Sequence, residues 1–234
     1  MSIIDSPSPN FGPRRDGRQP DLVVLHYTGM KSAAEALERM CDPASEVSAH
    51  YMIDEDGTCH RLVDEAMRAW HAGVACWAGE RDVNSVSIGI ELVNPGHEHG
   101  YRPFPDPQIA RLIDLCTELK PRHGIAPHRF VGHADVAPSR KQDPGELFPW
   151  KDMARQGFGL WPKPNHAGAP VAPMEAAFLL AEIGYDIADL PASIAAFQRR
   201  YRPSLIDGQL DRETAGLING LARMLPRQDA LQGE

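Results

Sequence analysis

The apolar positions of this chain fall into short runs separated by polar turns. Leu22-Val23-Val24-Leu25 is an unbroken apolar run that ends at His26-Tyr27-Thr28-Gly29. A continuous run of that length reads as a strand buried on both faces. Ser32, with Glu35 three residues on, has the form of a helix N-cap, and Ala33, Ala36, Leu37 and Met40 give the helix behind it an apolar face. His50-Tyr51-Met52-Ile53, the polar turn Asp54-Glu55-Asp56-Gly57 and Cys59 to Val63 predict a hairpin. Val86 to Val93 alternates apolar with polar or small residues as far as Glu91, which predicts a strand. Ile109, Leu112, Ile113, Cys116 and Leu119 recur at helical spacing, and Phe130-Val131-Gly132 forms a last short strand that delivers His133. Strands and helices that alternate in this way predict an α/β domain with a central mixed sheet flanked by helices.

After Trp150 the pattern changes. Residues 157–173 are rich in proline and glycine without apolar periodicity, the composition of a linker. Three helices follow: Ala176 to Ile183, Ser193 to Tyr201, and Asp211 to Leu225 with Asp211 as N-cap. Phe178, Leu179, Ile183, Ile194, Phe197, Leu217, Ile218 and Leu221 would form their core. The predicted organisation is a main domain over 1–156, its first twenty residues an irregular arm, a linker over 157–173 and a small three-helix domain over 174–226.

Composition narrows the function. A formal charge of −8 with no long basic block gives no electrostatic reason to expect nucleic acid as a partner. No apolar run approaches the roughly 18 residues that cross a bilayer. Cys41, Cys59, Cys76 and Cys116 are scattered without a CxxC pair, which reads as reduced, partly buried thiols. No apolar stretch follows a basic start within the first twenty residues, so a cytoplasmic location is expected, with a periplasmic one as the alternative if the true N-terminus differs.

Candidate chemistry concentrates between Gly132 and Gly145, where His133, Lys141 and Asp143 lie in a segment that Pro138 and Pro144 keep from being one helix. A loop that doubles back brings His133 and Asp143 to one point. Imidazole nitrogen and carboxylate oxygen suit zinc but need a third ligand from elsewhere, and His26 at a strand end is one polar group that could converge on them. Two imidazoles and one carboxylate leave a fourth position for water, as catalytic zinc sites do. Such a site also needs a carboxylate as general base and a cation for the developing oxyanion, roles that Glu91 and Lys141 fit. Taken singly, these residues are equally an exposed loop histidine, a solvent-facing strand carboxylate and a flexible surface lysine.

The segments VVLHYTG, SAHYMIDEDG, AWHAG, SIGIELVN and VGHADVAPSRKQDPGELFPW together resemble the zinc-dependent N-acetylmuramoyl-L-alanine amidases of the type 2 family, over residues 20–152 and in family order. That family is related to phage T7-type lysozyme amidases and to peptidoglycan recognition proteins. The resemblance implies hydrolysis of the amide between the lactyl group of N-acetylmuramic acid and L-Ala of the stem peptide. It implies Zn2+ held by His26, His133 and Asp143, with Glu91 as catalytic carboxylate and Lys141 stabilising the tetrahedral intermediate. His50, His71 and Trp77 lie in motifs that line the family's groove and are candidate substrate contacts, with a hydrogen-bonded strand histidine the competing reading of His50, while Trp70 reads as core packing.

The tail is similar to the small helical peptidoglycan-binding domain through Ile183-Gly184-Tyr185, Ala196 to Tyr201 and Ile206 to Thr214. The expected substrate is therefore a muropeptide or peptidoglycan. The expected setting is cytoplasmic recycling of anhydromuropeptides, the alternative an exported amidase acting on intact wall. A non-catalytic recognition protein is the rival from the binding class. Such relatives typically lack a zinc ligand, whereas this chain keeps the full set. An unrelated zinc peptidase is disfavoured because no HExxH occurs.

Overall fold

The computed structural model describes residues 3–162 and 172–226. Residues 163–171, most of the stretch read as a linker, lie outside the described residues. The strands are β1 (Ile3–Asp5), β2 (Phe11–Pro13), β3 (Leu22–Tyr27), β4 (Tyr51–Ile53), β5 (Cys59–Arg61), β6 (Met67–Ala69), β7 (Ser87–Leu92) and β8 (Phe130–Gly132). Helices α1 (Ala33–Cys41), α2 (Val83–Val86), α3 (Gly96–His99), α4 (Asp106–Arg122), α5 (His133–Val136) and α6 (Trp150–Arg155) are interleaved with them, and α7 (Pro173–Ile183), α8 (Leu190–Tyr201) and α9 (Arg212–Ala222) follow.

One sheet runs in the order β1-β5-β4-β7-β3-β8 and is mixed. β3 pairs parallel with both β7 and β8, β4 is parallel to β7, and β5 is antiparallel to β4. The expected mixed sheet flanked by helices is what the chain forms. Val23 and Leu25 of β3 face α4 together with Ile88, Ile90, Leu112, Leu115 and Leu119. Leu22 and Val24 face the opposite cluster, which includes Trp77, Ala176, Leu180, Phe197, Ile218 and Leu221. Both faces of this strand are thus covered, which is why its sequence is continuously apolar instead of alternating. A third cluster joins α1 to the sheet through Met40, Met52, Leu62 and Val93.

The N-terminal arm, read as irregular, carries two three-residue strands within its irregular course. Ile3–Asp5 adds to β5 as a parallel edge strand, and Phe11–Pro13 pairs antiparallel with β6. Backbone pairing, with Ile3 packed on the core and Asp5 paired to Arg61, holds the first of these strands without a period-2 apolar pattern. Arg14, buried at the end of this arm, donates to the carbonyls of Glu65, Asn84, Ser85 and Ser87 and anchors it.

The C-terminal helices share a hydrophobic cluster with the sheet. Arg200 of α8 is buried, with Nη1 donating to Asp135 at 2.6 Å and Nη2 to the Phe130 carbonyl at 2.9 Å, and its guanidinium lies 3.8 Å from the centre of the Trp150 ring. Tyr185 also donates to Asp135, at 2.6 Å. Asp211 caps α9 as expected, accepting from Thr214 N. Phe178 departs from the expected core and is 62% exposed. The buried residues of α7 are Ala176, Leu180 and Ile183, so a stripe at helical spacing leaves Phe178 outside it.

Candidate metal centre and cleft

Three adjacent parallel strands deliver the site. In the β3–β7 ladder His26 is paired with Glu91, and in the β3–β8 ladder Leu25 is paired with Gly132, so His133 follows directly at the next level. These positions are the carboxyl ends of the strands, where crevices form in open α/β sheets. Along one face of β3, Leu22 and Val24 lie in the core beneath the C-terminal helices, and His26, two residues on, opens into a cleft of about 340 Å³.

Asp143 is returned to this point by the loop after α5. The amide of Ala134 donates to the Asp143 carbonyl at 2.8 Å, and those of Arg140 and Lys141 donate to the Ala137 carbonyl at 3.0 Å each. Close approach of loop and strand depends on Gly132, where a Cβ would lie 2.7 Å from Pro144 Cδ.

His26, His133 and Asp143 are all buried, at 1%, 4% and 6% exposure, so their polar atoms need partners inside the protein. His26 Nδ1, His133 Nδ1 and Asp143 Oδ2 are 3.0 Å from one another in every pairing. His133 Nε2 lies 3.0 Å from the Ala72 carbonyl, which can only accept, so this nitrogen carries the proton and Nδ1 presents a lone pair. A lone pair and a carboxylate oxygen at that separation repel unless a cation lies between them. Tetrahedral zinc with ligand bonds of about 2.0–2.2 Å would space its ligands roughly 3.3 Å apart, close to the triangle observed. The donor set and its spacing therefore fit zinc.

Electrostatics agree with that fit. Burial, and then the neighbouring His133, lower His26 to about 4, which keeps its ring neutral as a ligand must be. Burial pushes Asp143 up, but the electrostatic pull and hydrogen bonds of His133 and His26 outweigh it and hold its carboxyl far below the usual range. Glu91 moves the other way: burial and the Asp143 charge push it well up, against the pull of Lys141. Its Oε2 is buried with no hydrogen-bond partner.

Glu91 and Lys141 both line the cleft beside the three-residue group. His71 lies behind His26, with Nδ1 3.0 Å from His26 Nε2. Trp77 does not reach the cleft as expected, and His50 takes the second of its two readings, a hydrogen-bonded strand histidine. His50 is fully buried, accepting from Gly89 N at 2.9 Å with its Nε2 3.1 Å from Arg14 and from the Met67 carbonyl. Trp77 is 3% exposed and packs edge-on against Tyr185 under α7. Trp70, read as core, lines the cleft instead, as do Arg39 and His97. His97 stacks on Tyr101 at 4.3 Å, accepts or donates at Tyr27 Oη across 2.9 Å and bonds Glu146. No motif marks Arg39 or His97; only the packing brings them to the cleft.

Residues 16–146 match the N-acetylmuramoyl-L-alanine amidase family, Amidase_2. The chain belongs to this family. It is an amide hydrolase of the N-acetylmuramoyl-L-alanine amidase class. The N-acetylmuramoyl-L-alanine amidase AmiD of Escherichia coli is 36% identical over 227 residues, which cover 86% of this chain and 81% of that one. The 1,6-anhydro-N-acetylmuramyl-L-alanine amidase AmpD of Haemophilus influenzae is 32% identical, over 62% of this chain and 86% of its own. The fold is similar to that of E. coli AmiD solved with the substrate anhydro-N-acetylmuramic acid-L-Ala-D-γ-Glu-L-Lys, with a TM-score of 0.79, 34% identity and coverage of 91% and 90%. It is also similar to AMPDH3 of Pseudomonas aeruginosa, with a TM-score of 0.81, 31% identity and coverage of 91% and 95%. Among the described residues no helix is long and apolar enough to cross a membrane.

Proposed function

We propose that this amidase is zinc-dependent and hydrolyses the amide between the lactyl group of anhydro-N-acetylmuramic acid and L-Ala of a stem peptide. The observation that carries the reading is the buried triangle of two imidazole nitrogens and one carboxylate oxygen beside an unpartnered glutamate oxygen. His26, His133 and Asp143 would hold the metal, which when bound supplies Lewis-acid polarisation of the scissile carbonyl and makes water acidic enough to attack near neutral pH.

The chain's own residues account for the proton and charge transfers. Glu91 takes the proton of the attacking water on its carboxylate and passes it to the leaving amine of L-Ala. A carboxyl pushed upward by burial and a neighbouring charge has the proton affinity that this alternation between base and acid requires. Lys141, which also lines the cleft, offers its ammonium to the oxyanion that develops on the carbonyl. Asp143 stays ionised throughout, so the two carboxylates of the site have separate roles.

The anhydro form of the sugar is supported by the substrate named with E. coli AmiD and by the name of the H. influenzae relative. Anhydromuropeptide and intact sacculus, supplied side by side to the zinc-loaded protein, test the reading when products are identified by mass. Free stem peptide is expected from the anhydromuropeptide, and chelation should stop its release. Release from neither substrate would refute the assignment.

A further inference from the structure

His71 has no part in the proton and charge transfers assigned above, yet the fold is built tightly around it. It is 8% exposed and its ring rests on the bare backbone of β7. A Cβ at Gly89 would come within 2.4 Å of its Cγ, so only glycine admits the ring there.

Both ring nitrogens are engaged, and the direction of each bond is fixed from the far end. The Val83 carbonyl can only accept, and Ser87 Oγ donates its hydrogen to it at 2.6 Å. Towards His71 Nε2, 3.1 Å away, Ser87 Oγ is then an acceptor, so Nε2 carries the proton. A neutral imidazole has one N–H, which leaves His71 Nδ1 as a lone pair facing His26 Nε2 at 3.0 Å. His26 Nε2 must donate, and His26 Nδ1 is left unprotonated where it meets His133 Nδ1 and Asp143 Oδ2.

We propose that His71 is a positioning residue that sets the tautomer and ring orientation of His26 for the metal, through a relay running from the Val83 carbonyl by way of Ser87 and His71. The neighbouring His133 receives the same instruction directly from the Ala72 carbonyl, without a relay. Partners of this kind orient a ligating histidine and raise its affinity for the metal. The inference rests on the metal reading of the three-residue group.

The test measures zinc affinity of the full chain by competition with a chromophoric chelator. It also records the visible spectrum after cobalt substitution and the melting temperature of the metal-free protein. His71→Leu is expected to lose about 10- to 100-fold in zinc affinity and to shift the cobalt spectrum. His71→Asn, whose side-chain oxygen can take the place of Nδ1, should restore affinity to within about threefold of the starting protein. Ser87→Ala frees His71 to take either tautomer and should weaken zinc in the same direction, by less than His71→Leu does. A folded His71→Leu protein with unchanged zinc affinity and cobalt spectrum would overturn the relay. If that variant does not fold, an unchanged Ser87→Ala protein overturns it. Failure of the unmodified protein to bind zinc removes relay and metal reading together. Zinc binding without stem-peptide release removes only the proposed reaction.

Discussion

Replacing Arg200 by methionine tests whether the C-terminal helices are part of the enzyme's folded core. The guanidinium gives one nitrogen to Asp135 and another to the Phe130 carbonyl while lying over Trp150. Both members of the ion pair are buried, at 5% and 2% side-chain exposure. Methionine keeps the aliphatic stem and removes the charge together with the guanidinium that lies over Trp150. Breaking a buried pair from one side costs about 3–5 kcal/mol because the other charge is left unpaired. Asp135 retains the Tyr185 hydroxyl and the Gly132 amide as donors, so the lower end, about 3 kcal/mol, is expected here. For a chain of this size that corresponds to a melting temperature lower by roughly 6–12 °C. Amide exchange at Phe130–Gly132 should quicken in step, since Arg200 bonds the carbonyl of that strand. The double variant Asp135→Asn, Arg200→Met should be less destabilised than the sum of its parts, because no buried charge is left over. An Arg200→Met protein that melts within about 2 °C of the parent, with unchanged exchange in β8, would show that the helical unit hangs free of the sheet.

Separating the roles of the two carboxylates calls for Asp143→Ala and Glu91→Ala, assayed for zinc content and for stem-peptide release. The first should lose both. The second should keep zinc and lose about 100-fold or more in turnover, and unimpaired hydrolysis would mean that Glu91 is not the base. Gly89→Ala introduces a Cβ 2.4 Å from the His71 ring and should lower zinc affinity with no ligand altered; a chelator titration reads this directly. His50 gives a pH prediction. Burial, and then the charge of Arg14, lower it to about 3, below the ordinary histidine range. The unfolded chain therefore takes up the extra proton between about pH 6.5 and 3, and the folded state loses stability as pH falls through that window. His50→Asn should flatten the dependence of unfolding free energy on pH below 6.5 by up to about 1.4 kcal/mol per unit, as measured by urea melts at pH 7, 6 and 5. Identical slopes would contradict the burial of a neutral ring.

What could be read from the sequence was whatever one strand or one helix decides by itself. The LVVL run of β3 announces burial on both faces, and Ser32 and Asp211 announce helix starts that their side-chain caps bear out. Groups assembled by packing between distant segments were harder. The strands β1 and β2 are three residues long and are fixed by pairing and side-chain contacts with distant segments, so no local apolar pattern marks them. The exposure of Phe178 follows from which stripe of α7 meets the sheet, a choice that Phe178-Leu179-Leu180 leaves open.

The contrast between His26 and His50 shows the same limit at the site. Each is a histidine bordering a short apolar run, and the family resemblance puts both in motifs of the cleft, with a hydrogen-bonded strand position left open for His50. His26 stands near the carboxyl end of β3, level with Glu91, where the sheet opens. His50 comes just before β4, which runs parallel to β7 and is paired Tyr51 to Ile90. That register sets His50 beside Gly89, whose carbonyl accepts its amide, two residues before the cleft begins. The space above Gly89 is already filled by the His71 ring, so His50 has no route to a substrate and its nitrogens are taken up by Arg14, Met67 and Gly89. Strand direction and register, and not residue type, decide which of these histidines can meet a metal or a substrate.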